Sequence, residues 1–385
     1  MRRTYRYRLY PTGNQVRALE AQLGEQCDLY NAALEHRRTM WRDYGVSVTL
    51  KQQSAELKEM RATGEVDATA NFWSQAAVLK RLDLAFQAFY RRCKAGESPG
   101  YPRFKSRARF DTLTWSFAGN SGGCKVVNGR VRLQGVGHVK VKWHRPIPGG
   151  AKLCTVQVKR QGNRWYACFS LDDVPYRPLP ATGRTVGIDL GIQTFAAMSD
   201  GELILGPRAN RAGAAAVRRA ARKVARRTRG SNRRRKAGML LARQREREAN
   251  RRRDHAHKTA RSLVNRFDVI AVESLGVRGL PAGMLARDCN DQGWAAFVAC
   301  LRDKAEEAGR AVILVDPRGT SQECSSCGIV VRKALGVRVH SCACGYTADR
   351  DVNAARNILA RALQTPGPDG AIKRQRWGEQ ARAVA

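Results

Sequence analysis

The chain has 385 residues, of which 70 are Lys or Arg and 33 are Asp or Glu, a formal charge of +37. With 43% hydrophobic residues and seven Trp, it is not a disordered basic tail, and its length suits two or three domains. No run approaches the roughly 18 apolar residues of a membrane span. Met1 to Arg8 lacks the apolar stretch of a secretory signal, so a cytoplasmic, nucleoid-associated protein without a membrane partner is expected.

Such an excess of positive charge calls for a polyanion. It is densest between Arg218 and Lys258, where 41 residues hold 18 bases and 3 acids, and elsewhere it is spread over the chain as on an extended nucleic-acid track.

In chain order, Thr4 to Tyr10 alternates as a strand, and Thr12 and Gln15 have the spacing of a capping box. A long amphipathic helix is expected next, with the stripe Val16, Leu19, Leu23, Cys27, Tyr30 and Leu34. A second helix over roughly 71–94 has the stripe Val78, Leu82, Phe86, Phe89 and Cys93, and both stripes are read as core. From Gly100 to about Leu171 the pattern turns to short strands, with turn signals at Asn128-Gly129 and Gly162-Asn163. This predicts a small β-barrel over 1–12 and 100–178, with 13–99 as a helical insertion.

The proline-rich segment 175–180 marks a domain boundary. Beyond it are strands ending at Asp189, over 194–198 and over 202–205, then helix, strand, helix, and a last strand over 310–315. That order resembles the RNase H-like fold, placed over 180–321 and 347–364. Residues 365–385, with Pro366 and Pro368, are expected to form a basic mobile tail.

Three carboxylates stand at element ends: Asp189 closes one apolar run, Glu273 closes another, and Asp351 opens a helical pattern. An acid at the end of a buried strand is costly unless positive charge neutralises it. Converging acids would hold Mg²⁺, with Mn²⁺ as an alternative, and carboxylate-bound Mg²⁺ is what phosphodiester cleavage needs. Asp351 is preferred over Asp349 because it lies in helical register with Ala355 and Ile358, whereas Asp349 suits a helix cap.

Of eleven cysteines, seven are scattered singly and read as reduced thiols. The other four form the pairs Cys324, Cys327 and Cys342, Cys344, separated by 14 residues, which reads as a structural zinc knuckle over 322–346. The second pair has one intervening residue where two are usual, so His340 is an alternative fourth ligand.

The sequence also resembles the TnpB family of transposon-encoded RNA-guided DNA endonucleases, relatives of the type V CRISPR effectors. The resemblance runs over nearly the whole chain and rests on Tyr7-Arg-Leu-Tyr-Pro, Gly100-Tyr-Pro-Arg-Phe-Lys, Gly187-Ile-Asp-Leu-Gly-Ile, Gly230-Ser-Asn-Arg-Arg-Arg-Lys, Thr320-Ser-Gln-Glu-Cys-Ser-Ser-Cys-Gly and Asp349-Arg-Asp-Val-Asn-Ala-Ala-Arg-Asn-Ile. It implies an α/β multidomain protein in which a RuvC-like nuclease domain carries the catalytic triad Asp189, Glu273 and Asp351 and hydrolyses phosphodiesters through two metal ions, with Asp189 as the expected bridging ligand. It further implies a guide RNA cofactor, double-stranded target DNA, an RNA–DNA heteroduplex, and a zinc insert that touches target nucleic acid.

Among the bases, Arg233, Arg234, Arg235 and Lys236, then Arg251, Arg252 and Arg253, are the expected contacts to RNA backbone and heteroduplex. The family reads a short DNA motif beside its target with its N-terminal half. In the matching stretch Gln75 is the candidate, since an amide can pair with adenine. A monomer is expected. The alternatives are a guide-directed repressor that binds without cutting and a structure-selective nuclease that needs no guide.

Overall fold

The computed structural model describes residues 1–67, 70–116, 122–207, 209–274, 292–334 and 336–364. The expected tail over 365–385 lies outside them. The chain divides into two compact units, Met1–Pro175 and Tyr176–Ala385.

The first unit opens with β1 (Arg3–Tyr10), followed by α1 (Gly13–Tyr44), α2 (Leu50–Ala62) and α3 (Phe72–Lys94). Six more strands follow: β2 (Thr112–Ser116), β3 (Cys124–Val127), β4 (Arg130–Leu133), β5 (Gly137–Lys142), β6 (Lys152–Gln161) and β7 (Arg164–Asp172). They form one antiparallel sheet in the order β2-β6-β7-β1-β5-β4-β3. The sheet curls until its two edges meet, the Ser116 N–H donating to the Gly122 carbonyl at 3.1 Å. β1 joins it as expected, pairing with β5 and β7, so the helices are inserted between a central strand and the rest of its sheet.

Local chemistry explains the helix starts. Thr12 and Gln15 form the capping box at α1, and Asn71 caps α3. Thr49 and Gln52 form a second box at α2, a helix that the hydrophobic pattern alone did not predict. Leu19, Cys27 and Leu34 of α1 and Val78, Leu82 and Phe86 of α3 share one core with Trp115 and Phe169 of the sheet. Cys93 departs from its expected place, being exposed in the last turn of α3 beyond that core.

In the second unit, β8 (Thr185–Asp189), β9 (Ala196–Met198) and β10 (Leu203–Ile204) lead into the helices α4 (Ala209–Ala225) and α5 (Asn232–Arg266). Then come β11 (Val269–Glu273), α6 (Trp294–Glu307), β12 (Ala311–Val315), the ribbon β13 (Val339–Ser341) and β14 (Thr347–Asp349), and α7 (Arg350–Gln364). The five-stranded sheet runs β10-β9-β8-β11-β12, antiparallel in its first three strands and parallel from β8 onwards.

Helices cover both faces of this sheet, so its central strands are apolar on both sides. Val186, Ile188, Ile270 and Val272 pack with Leu263 of α5 and Phe297 of α6. The alternate residues, Gly187 and Ala271, meet α7 and are small because that helix comes very close. A Cβ on Gly187 would fall on the Ala355 carbonyl and lie 2.8 Å from the Leu359 amide.

At the N-terminal end of the parallel strands, the Asp268 carboxylate accepts from the Thr182 and Gly183 amides at 2.9 and 2.7 Å and pairs with Arg310 at 2.5 Å. Among the described residues, no helix is long and apolar enough to cross a membrane.

Replacing Gly187 by Ala is expected to push α7 off the sheet. It should cost about 3 kcal/mol, the upper part of the range for overpacking. Chemical denaturation of the two proteins measures the difference, and an unchanged midpoint would contradict the close approach.

Candidate active site

Strand periodicity aims the three carboxylates at one place. β8 and β11 are parallel neighbours with Ile188 opposite Val272, so Asp189 and Glu273 stand side by side at the C-terminal end of the sheet. Counting by twos from Gly187 and Ala271, both project to the face that α7 covers. Asp351 lies in the first turn of α7, and a Cβ on Gly191 would stand 3.8 Å from its Oδ2 and 2.9 Å from the Thr194 carbonyl. Asp349 caps that helix, accepting from the Asp351 and Val352 amides at 2.8 and 3.2 Å, as its position suggests.

Like charges here are poorly compensated. Burial, then the neighbouring Glu273 and Asp351, push the Asp189 carboxyl up to about 8 from its usual value near 3.8. Burial also raises Glu273, although the Thr320 hydroxyl holds its Oε1 at 2.6 Å and Arg361 lies nearby. Asp351 is approached by Arg350 at 3.3 Å and Arg338 at 3.5 Å. Three carboxylates, two of which act on the third, are oxygen donors of the kind that suits a divalent cation.

Polar residues on α7 brace the site and were not singled out from the sequence. Asn353 accepts from the Ser325 amide at 2.9 Å and donates to the Glu323 carbonyl at 2.7 Å. Asn357 donates to the Thr320 and Glu323 carbonyls at 2.9 and 2.7 Å. Together they tie the segment holding Thr320 and Cys324 to the helix holding Asp351. The available signal was two amides four residues apart within an apolar helical stripe.

The four predicted cysteines meet. Among the described residues they are the one group of three or more His, Cys, Asp or Glu whose donor atoms all lie within 4.8 Å of one another. The Cys324 and Cys344 sulfurs are 3.8 Å apart, and those of Cys327 and Cys342 are 3.6 Å apart. Four sulfurs at about 2.3 Å from a tetrahedral zinc are about 3.8 Å from each other, so the spacing fits the ion and rules out a disulfide. Gly328 and Gly345 turn the chain after each pair with φ of 81° and 85°. Burial disfavours the Cys324 thiolate, yet hydrogen bonds from the amides of Cys327 and Ser326 and from the side chains of His340 and Cys327 together outweigh it and lower this thiol, as a metal ligand needs. His340 is outside the sulfur group, fully buried, with Nδ1 against Lys333 Nζ.

The basic candidates lie on the α4–α5 hairpin. Arg233, Arg235, Lys236, Arg251 and Arg253 are exposed, and Arg252 is half-buried. Arg234 is committed elsewhere: its guanidinium donates to the Arg227 carbonyl at 2.7 Å and to that of Val224 at 3.2 Å, closing the end of α4. Gln75 also needs correcting as a reader of bases. It is 2% exposed, its Nε2 donates to the Asp67 carbonyl at 2.9 Å, and its Oε1 accepts from Arg61. The α3 face that turns inward therefore includes it.

Residues 154–282 match a family model described as "Probable transposase", 294–358 the TNB domain of Cas12f1-like proteins, and 1–45 a helix-turn-helix domain. Over 13–44 the structure has one continuous helix. A "Putative RNA-guided DNA endonuclease" of Streptomyces pristinaespiralis is 35% identical over 98% of this chain and 93% of its own length. The chain belongs to the TnpB family. A second relative, the "Putative RNA-guided DNA endonuclease InsQ" of Escherichia coli, is 27% identical, covering 92% of this chain and 91% of its own length. A solved Cas12f1–sgRNA–target DNA complex superposes with a TM-score of 0.54 at 14% identity, covering 93% of this chain and 98% of that one. This chain and that Cas12f1 thus share an α/β fold.

With Asp189 raised to about 8, a cation that bound there would have to displace its proton. Affinity for Mn²⁺ should rise as pH increases, by up to tenfold per unit, and level off above about pH 8. The sign for stability is the reverse. The unfolded carboxyl ionises near pH 4 and the folded one near 8, so the metal-free protein should lose stability across that window as pH rises. Mn²⁺ titration calorimetry and denaturant melts at several pH values read both trends. A flat Mn²⁺ affinity would contradict the crowding.

Proposed function

We propose that this chain is an RNA-guided, Mg²⁺-dependent endonuclease that cuts target DNA beside a short flanking motif. The observation that carries the reading is the meeting of Asp189, Glu273 and Asp351 from two parallel strands and a helix, within a chain whose full-length relatives bear that name. The strand order supports an RNase H-like, RuvC-type domain over 180–321 and 347–364. The curled sheet with its helices supports a barrel carrying a helical insertion, and the sulfur tetrahedron supports a zinc knuckle over 322–346.

Asp189, Glu273 and Asp351 would hold the cations. Two such ions, when bound, supply the charge that makes water nucleophilic at neutral pH and stabilises the departing 3′ oxygen. The chain's own part is positional. Thr320 fixes one oxygen of Glu273, while cation binding would have to release Asp351 from Arg350 and Arg338 and a proton from Asp189 to solvent. No side-chain nucleophile is required, so no covalent protein–DNA adduct is expected.

The guide RNA would supply sequence choice by base pairing, while the protein recognises heteroduplex shape through backbone contacts such as those from Arg233, Arg235, Lys236, Arg251 and Arg253. Zinc on Cys324, Cys327, Cys342 and Cys344 would keep the Thr320 segment folded against α7 and so steady the site.

The test begins with the protein expressed beside its native flanking locus and the co-purified RNA sequenced. One abundant RNA with a fixed scaffold and a variable end is expected, and DNA matching that end should be cut only with Mg²⁺. Asp189→Ala, Glu273→Ala and Asp351→Ala should each lower cutting by at least 10³-fold, the scale on which electrostatic catalysis is lost, while target binding persists. Cutting that survives RNase treatment, or near-normal cutting by Asp351→Ala, would overturn the reading. For zinc, elemental analysis should find one ion per chain, lost together with thermal stability in Cys324→Ser. Unchanged metal content would remove it.

A further inference from the structure

The segment 99–105, which contains Gly100-Tyr-Pro-Arg-Phe-Lys, has no place in the carboxylate or cysteine sites. Its backbone is nonetheless pinned at both ends. Arg92 donates to the Pro99 and Gly100 carbonyls at 2.6 and 3.1 Å. Asn31 of α1 clasps Lys105, accepting from its amide at 2.8 Å and donating to its carbonyl at 2.9 Å. Pro102 is buried between these anchors.

Two aromatic side chains on this rigid strap stay half in water, Tyr101 at 45% and Phe104 at 49% exposure. Tyr101 is held edge-on by Phe86 and Phe89, with ring centroids 5.6 and 5.3 Å away. With Leu34, Pro102 and the exposed Arg38 and Arg103, these rings line a cleft of about 330 Å³. Glu35 faces the same tyrosine. The volume is at the small end of ligand sites, about 300–1,000 Å³. Fixed ring faces beside guanidinium groups are the chemistry that takes a splayed base and its phosphate.

We propose that this cleft seats one unpaired nucleotide of the bound RNA, its base stacked on Tyr101 and Phe104 and its phosphate paired with Arg38 and Arg103. Duplex DNA keeps its bases inside the stack and offers nothing that enters a cleft this small. The inference rests on the guide-RNA reading and deepens it.

The experiment is ultraviolet crosslinking of the purified ribonucleoprotein, with mass spectrometry of its peptides. The expected result is an RNA nucleotide on the peptide that holds Tyr101 or Phe104. The Tyr101→Leu, Phe104→Leu double variant, which keeps apolar bulk under the strap, should bind that RNA about 5- to 150-fold more weakly with an unchanged melting profile. Arg38→Gln should reduce the salt dependence of binding by about one phosphate contact.

Crosslinks elsewhere on the chain but none on this peptide would overturn the proposal while leaving the guide reading intact. So would undiminished affinity in a folded double variant, or a crosslink formed only with target DNA or with a protein partner. Absence of any discrete RNA would overturn both.

Discussion

The second unit depends on the approach of one helix to one strand. Where α7 crosses β8 there is no side chain between the two backbones, because Gly187 supplies none. That contact sets how far the Asp351 carboxylate lies from the strand ends that hold Asp189 and Glu273. Asn353 and Asn357 keep this distance by hydrogen bonding and Ala271 by being small.

The sheet is electrostatically asymmetric along its strands. At one end Asp268 is satisfied by two amides and Arg310, an arrangement in which a buried charge is compensated within the fold. At the other end three acids approach one another, and burial with the other two raises the Asp189 carboxyl to about 8. A fold can carry such uncompensated charge when the stability of the rest absorbs it, and this is where function is expected to reside. The cysteine cluster repeats the theme, its thiols drawn together at tetrahedral spacing with amides already favouring one thiolate.

Much of this was legible in the sequence, for physical reasons that differ by element. The strand ends at Asp189 and Glu273, the Thr12–Gln15 box and the cysteine pairs are local patterns, and local patterns survive folding. The helix α2 was missed because its apolar content is slight and only Leu57 and Gln53 are buried, although its capping box at Thr49 announced it. Gln75 was misread because a polar residue on a helix looks exposed until a buried partner is known, here Arg61 and the Asp67 carbonyl. Arg234 was likewise indistinguishable from its neighbours until the bend between α4 and α5 placed it over the Val224 carbonyl of α4 and the Arg227 carbonyl just past that helix. The Thr320–Glu273 bond spans 47 residues, so no local pattern could have revealed it.

The order of the elements along the chain bears on synthesis. Asp189 and Glu273 lie on strands that pair directly, but the helix holding Asp351 comes after the whole cysteine insert. As the chain leaves the ribosome, the sheet can form around two acids while the third is still being made. A nascent or prematurely ended chain that stops before α7 would therefore have the basic track and lack the third acid of the proposed centre. It could hold nucleic acid without being able to cut it.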